Sequence, residues 1–162
     1  MNLSFLLAFI IIIALIAIPI FISKNKKNNL KKVLYNTFQN YAEKNELNIT
    51  QRETWNSRYY IGIDLDKRKL LFLNKNNEKE DFTLIDLNKT KKCRANKISR
   101  SIKSNVGNLL SIDKIELNFT PSTNDTTEIN IPFYIDSEDI NLNHEILISE
   151  KWEKIINDII KK

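Results

Sequence analysis

Residues 3–22 constrain this chain more than any other stretch: they carry no charge, are dense in Ile, Leu, Phe and Ala, and are followed at once by Lys24, Lys26 and Lys27. At a helical rise of about 1.5 Å per residue such a run reaches roughly 30 Å, the thickness of a bilayer's hydrocarbon core. The run predicts a transmembrane anchor over residues 1–23, and a single-pass membrane protein that meets the lipid bilayer through residues 3–22. A cleaved signal peptide fits less well. Met1 and Asn2 bring no basic side chain, the apolar run is longer than a signal sequence needs, and Pro19, Ile20, Phe21, Ile22 and Ser23 offer no small-x-small cleavage site. Lys24, Lys26, Lys27, Lys31 and Lys32 all follow the run, the usual mark of a cytoplasmic flank and a contact for anionic headgroups worth about 1 kcal/mol each. On this reading the N-terminus lies outside and the rest of the chain is cytoplasmic. The alternative is an exported domain tethered to the outer side, because long domains largely ignore the charge rule.

The remaining length, about 130 residues, suits one domain with a core of its own. The net charge of +5 is no sign of nucleic acid once it is located: basic and acidic residues balance from Val33 onward, and the excess sits in the lysines behind the apolar run. Cys93 is the only cysteine, which excludes a disulfide within the chain and reads as a buried thiol. His144 is the only histidine and Gly62 and Gly107 are the only glycines, so zinc sites, histidine-based triads and glycine-rich phosphate loops have nothing to be built from. No catalytic residue, cofactor or metal is predicted. The carboxylate pairs Asp64 with Asp66 and Glu138 with Asp139 fall in predicted turns, where solvation accounts for them. Asn-x-Thr sites at Asn48, Asn88, Asn118 and Asn124 follow from a composition rich in Asn, Lys and Ile, the signature of AT-rich, bacterial coding.

Periodicity divides the chain beyond the anchor. Over residues 24–54 a polar, basic linker leads into an amphipathic helix, with Leu30, Val33, Leu34, Phe38, Tyr41 and Ala42 at three- and four-residue spacing; this stripe is expected to pack on the domain C-terminal to it. From Trp55 the period becomes two. Trp55, Tyr59, Ile61 and Ile63 oppose Asn56, Arg58 and Asp64, and after a turn at Asp66, Lys67, Arg68 and Lys69 comes the run Leu70, Leu71, Phe72 and Leu73, a β-hairpin. A strand comes next with Phe82, Leu84, Ile85 and Leu87, then a less marked one near residues 91–99. Ile115, Leu117 and Phe119 pair with Ile129, Ile131, Phe133 and Ile135 as a second hairpin, with Pro132 at an edge. Ile148, Trp152, Ile155, Ile156, Ile159 and Ile160 return to helical spacing as an amphipathic capping helix. Roughly six or seven antiparallel strands and then a helix predict an α+β chain, with residues 55–162 forming a bent sheet or small β-barrel that the helix covers.

This order of elements, with Trp152 in the closing helix, resembles the pleckstrin-homology (PH)-like superfold, and particularly bacterial PH-like domains tethered by an N-terminal membrane helix. The resemblance rests on the hairpin of residues 59–73, the strand of residues 82–87 with Asp86, the alternating pair within residues 115–135, and Trp152. It implies that Lys67, Arg68 and Lys69 of the first hairpin occupy the place where phosphoinositide-binding relatives grip phosphate. A second basic run, with Lys91, Lys92 and Arg94 at its centre, contains no acid between Asp86 and Asp113 and no aromatic residue for base stacking. It is expected to be neutralised within the domain, or else to face an acidic protein or a membrane. The function expected is that of a membrane-anchored binding or scaffolding module acting on an unknown protein partner, with no nucleic acid. The alternative is an anchored enzyme of unrecognised chemistry.

Overall fold

The computed structural model describes residues 3–76, 79–104, 107–123 and 127–161; within the first helix many side chains up to residue 27 also lie outside that description. The chain opens with α1 (Leu3–Lys44) and continues through β1 (Gln51–Trp55), β2 (Tyr59–Asp64), β3 (Lys69–Asn76), β4 (Lys79–Asp86), a short 3-10 turn at Leu87–Lys89, β5 (Thr90–Ser104), β6 (Gly107–Pro121), β7 (Ile129–Ile135) and α2 (Glu145–Ile160). The strands form two antiparallel sheets, one in the order β1-β2-β3-β4 and the other β5-β6-β7.

Two expectations are corrected by this architecture. Among the described residues no helix is long and apolar enough to cross a membrane, so the transmembrane anchor, the single-pass topology and the cytoplasmic placement derived from it do not stand. The apolar run is no separate element: one helix passes through it, through Pro19, and through the supposed linker with its lysines. Its 42 residues extend about 63 Å, about twice the element the apolar run was expected to form. The part of α1 that packs is its C-terminal end, where Leu34, Phe38 and Ala42 are buried. The second correction concerns the barrel. Neither sheet closes: β4 and β5 are separated by the 3-10 turn and belong to different sheets.

Burial of β2 on both faces explains the architecture. Tyr59, Ile61 and Ile63 of β2, with Leu70 and Phe72 of β3, face the core shared with Cys93, Leu117, Phe133, Trp152 and Ile156. Tyr60, Leu71 and Leu73 point the other way, into a second cluster with Leu34, Phe38, Ala42 and Leu47. The first sheet is therefore a middle layer, with α1 on one side and the second sheet and α2 on the other. Two covered faces require the near-continuous apolar runs seen in β2 and β3. The stripe expected on α1 is narrower than its spacing suggested: Leu30 and Val33 are exposed, and Tyr41 is half-buried, stacked on Phe82 at 3.9 Å between ring centroids.

In the second sheet, irregular register moves one side chain across. The β6–β7 pairing shifts between Ile115 and Glu116, placing Tyr134 opposite Ile115 and Pro132 opposite Glu116. Tyr134, which strict alternation with Phe133 and Ile135 would turn to the polar face, is consequently buried beside Phe133.

At Gly62 a side chain of α1 lies directly against the sheet. A Cβ there would lie 2.8 Å from both Phe38 Cζ and Ile49 Cγ2, while Phe38 is held against Tyr60 with ring centroids 4.3 Å apart. Gly62→Ala is expected to destabilise the protein by about 1–3 kcal/mol through overpacking, read as a lower urea midpoint. An unchanged midpoint would show that α1 is free to shift.

Candidate functional site

A cavity of about 560 Å³ opens between the β1–β2 turn and the loop after β7. Its first wall is the three-residue connection Asn56, Ser57 and Arg58; Asn56 and Ser57 both have positive φ (51° and 52°), and Arg58 N–H closes the turn by donating to the Trp55 carbonyl at 3.2 Å. Paired positive φ values are those of the turn type whose twist matches a hairpin, and Asn tolerates them well. The second wall carries Glu138, Asp139, Ile140, Asn141 and Asn143, and Lys31 of α1 reaches the rim.

Arg58 joins the two walls. Its Nε donates to Asn74 Oδ1 at 2.8 Å, one terminal nitrogen donates to Glu138, and the other lies 3.8 Å from Asp139 Oδ1. The guanidinium also sits 4.8 Å from the Tyr59 ring centroid. Asp139, with a side chain 3% exposed, accepts from the Ile135 backbone N–H at 2.7 Å, from the Tyr59 hydroxyl at 3.0 Å and from Asn56 Nδ2 at 3.4 Å. Burial, reinforced by the charge of Asp139 and against the pull of Arg58, pushes the Tyr59 hydroxyl far above the ordinary tyrosine range, so it serves as a fixed donor. Behind this network, Trp55 Nε1 donates to the Phe133 carbonyl at 2.8 Å, and the two rings stack at 4.4 Å. The charges of the cleft hold its walls together. Apart from the exposed Lys31 at the rim, its outward-facing groups are neutral: exposed Asn56, Asn141 and Asn143, half-buried Ser57, and Ile140 at 96% exposure.

The basic residues read from the sequence have other places. On α1, Lys24, Lys31 and Lys32 are exposed, and the side chains of Lys26 and Lys27 lie outside the described residues. Lys67 donates to the Glu46 carbonyl at 2.6 Å and lies 3.6 Å from its carboxylate. Arg68, in a left-handed conformation (φ 50°), donates to the carbonyls of Ile159 and Ile160 and so caps α2. Lys69 stands opposite Asp64 and Asp86 in the sheet. Lys91 and Lys92 border a groove of about 380 Å³ with Asn157, Ile160 and Lys161, while Arg94 is exposed on β5. The structure thus gathers Arg68, Lys91 and Lys92 around the C-terminal end of α2, where a helix dipole favours cations. Farther along β5 the run is neutralised internally, Lys97 by Glu150 at 2.7 Å and Arg100 by Asp113 and Asp136 at 3.1 Å each.

The remaining residues singled out in the sequence resolve simply. Asp64 accepts backbone N–H groups of Asn48 and Lys67, both at 2.8 Å, and ties the β2–β3 turn to the segment after α1. His144 is exposed at the start of α2. Among the described residues no group of His, Cys, Asp or Glu side chains is placed to hold a metal. Cys93 is buried, and burial first, then the charge of Glu153, pushes its thiol well above the ordinary range. The Arg58 network is not what the sequence suggested: Asn56 and Arg58, expected on the polar face of one strand from Trp55 to Ile63, lie in the turn between β1 and β2, and Arg58 and Asp64 are buried. Comparison with known proteins adds no relative: no family model, no curated protein and no solved structure matches the chain.

Removing the Asp139 carboxylate strands the Ile135 N–H and leaves Arg58 with Glu138 as its one acidic neighbour. Asp139→Ala is therefore expected to cost about 3 kcal/mol in urea unfolding; a loss under 1 kcal/mol would show that water replaces it. At Asp64 burial works to raise the pKa, but hydrogen bonds from the backbone of Lys67, Asn48 and Asp66 outweigh it and lower the value. A carboxyl whose folded pKa is depressed stabilises the fold above its ordinary pKa, about 3.9, and that stabilisation is lost as pH falls through the folded value. Asp64→Asn should lower the melting temperature at pH 7, with the gap to the wild-type protein closing in the acid range. A gap independent of pH would contradict this.

Proposed function

We propose that the chain is a protein-binding module of the PH-like kind its sequence resembles, and that it meets its partner at the cleft beside Arg58. The observation that carries the binding reading is the division of labour in the cleft: Arg58, Glu138 and Asp139 are engaged with one another, and the outward groups, apart from the exposed Lys31 at the rim, are amides and Ser57 beside a bare isoleucine. An enzyme needs a group free to exchange protons or attack a substrate, near the proton it moves. A recognition surface needs neutral donors and acceptors around an apolar anchor, with charges depleted at its centre. Asn56, Ser57, Asn141 and Asn143 offer the former to a polypeptide backbone, and Ile140 offers the anchor.

The test is site-specific photo-crosslinking of the full chain in its native cells, with a photoreactive residue at position 140 and, as reference, at the exposed Leu147 of α2. A discrete product is expected from position 140 alone. It should fall at least fivefold when Asn56 and Asn141 are replaced by Ala, the loss that corresponds to about 1 kcal/mol of binding. Equal crosslinking from positions 140 and 147, or indifference to the two Ala substitutions, would dispose of the cleft as the contact.

A further inference from the structure

The far halves of β5 and β6 form an arm with one edge that nothing among the described residues covers. β7 pairs with β6 only along Lys114–Phe119, whereas β6 begins at Gly107. Beyond the pairing, the Asp136 N–H reaches the Asp113 carbonyl at 2.9 Å, and no further backbone partner on that side is found among the described residues. A two-stranded ribbon is marginal alone in water, and an unpaired apolar edge is a template for another strand.

The two edges of the arm differ in kind. On β5, Asn157 of α2 takes both the N–H and the carbonyl of Cys93, at 3.0 and 2.8 Å, and Glu153 accepts from the Ala95 N–H at 3.1 Å. Side chains of α2 thus stand in for a neighbouring strand. Where they stop, β5 continues with Lys97, held by Glu150, Arg100, held by Asp113 and Asp136, and Lys103, so a strand added along this edge would have to fit among ion pairs. The β6 edge carries no charge from Gly107 through Ile112. It exposes Leu109 at 60% and Leu110 at 80%.

The direction of the backbone groups follows from the register. Since the backbone groups of Cys93 and Ala95 point away from β6, strand alternation turns those of Arg100 and Ile102 toward it, bonded to Ser111 and Leu109 respectively. Asn108, Leu110 and Ile112 are then left with their N–H and carbonyl groups at the open edge.

We infer that residues 108–112 of β6 pair antiparallel with the same residues of a second copy of this chain, about a twofold axis at Leu110. Leu110 then faces Leu110 of the second copy, Leu109 faces Ser111, and Asn108 faces Ile112, with no like charges opposed. The two arms become one four-stranded sheet ordered β5-β6-β6-β5, and the symmetry closes the assembly at two chains. A contact of this size belongs to the weak class of interfaces, so proximity crosslinking is the suitable measurement.

In the full chain, Leu110→Cys is oxidised under native conditions beside Leu147→Cys as an exposed reference. The buried Cys93 contributes little background, and facing strand residues lie about 5.5 Å apart at Cα, within disulfide reach. The dimer band from Leu110→Cys is expected to exceed that from Leu147→Cys at least tenfold. Adding Leu109→Lys with Ser111→Lys opposes lysines across the axis and should cut the band tenfold, as should the matching pair of Glu substitutions. Co-expressing the Lys-bearing and Glu-bearing chains should restore it. Equal bands from positions 110 and 147, no loss in the charged variants, no recovery in the mixture, or a product of position 110 with a different polypeptide would each overturn the proposal.

Discussion

Burial of the β2–β3 hairpin on both faces is the constraint on which the rest of the structure depends. A strand covered on one side alternates; one covered on both cannot, and Tyr60, Leu71 and Leu73 would be an exposed apolar sheet without α1. The helix must come close enough to exclude water, and Gly62 supplies the room for the Phe38 ring to lie against the backbone. The C-terminal part of α1 is thereby a structural layer of the domain. On the opposite face Trp55, Tyr59, Phe72 and Phe133 form a chain of stacked and tilted rings that joins the first sheet to the second.

Polar side chains at the seams of these layers work as backbone partners. Asn157 and Glu153 close the start of the β5 edge, Arg68 caps the end of α2, and Asp64 gathers N–H groups from two loops. Each satisfies groups that packing would otherwise desolvate, at a net gain of about 1 kcal/mol apiece and a larger loss if left unmade. Trp152 extends this to the helix itself: its ring is buried in the core while Nε1 donates at 2.8 Å to Glu53 of β1, which also holds Lys151 at 2.9 Å.

Much of this was legible in the sequence wherever one residue's environment was set by its own element. The face of α2 that packs on the core, with Trp152 and Ile156 innermost, is the face its spacing defines, and the pairing of β2 with β3 matches the expected hairpin, although its turn lies at residues 65–68 rather than 66–69 and β2, buried throughout, does not alternate. The misreadings arose where another element decided. Tyr134 crosses to the buried side because the β6–β7 register slips at Ile115, which no periodicity within β7 encodes. Residues 51–54, placed with the polar segment, and Trp55, placed at the head of the strand that carries Tyr59, form β1 because β2 offers them a partner, Thr54 adding a 2.8 Å bond from its hydroxyl to the Tyr59 carbonyl. The apolar run at the start met every local criterion for a span, yet the helix that contains it runs on through the lysines to the packed end. In the cleft, Arg58 and Asp139 are about eighty residues apart in sequence, and their pairing depends on how the second sheet lies on the first.

The placement of charge has a consequence for how such a domain recognises anything. Ionised groups locked in mutual pairs contribute little long-range field, so the surfaces left for contact, the amide rim at Ile140 and the bare edge of β6, depend on shape and hydrogen-bond complementarity at short range. Recognition of that kind resists salt, because there is little attraction for counterions to screen. The exposed lysines of α1 and the group around the end of α2 are the exceptions, and the latter are held where the helix terminus partly offsets their charge. Lys31 gives a partner at the cleft one exposed cation to meet, whereas the end of α2 presents several, so the salt dependence of association separates a partner drawn by that group from one that docks at the cleft.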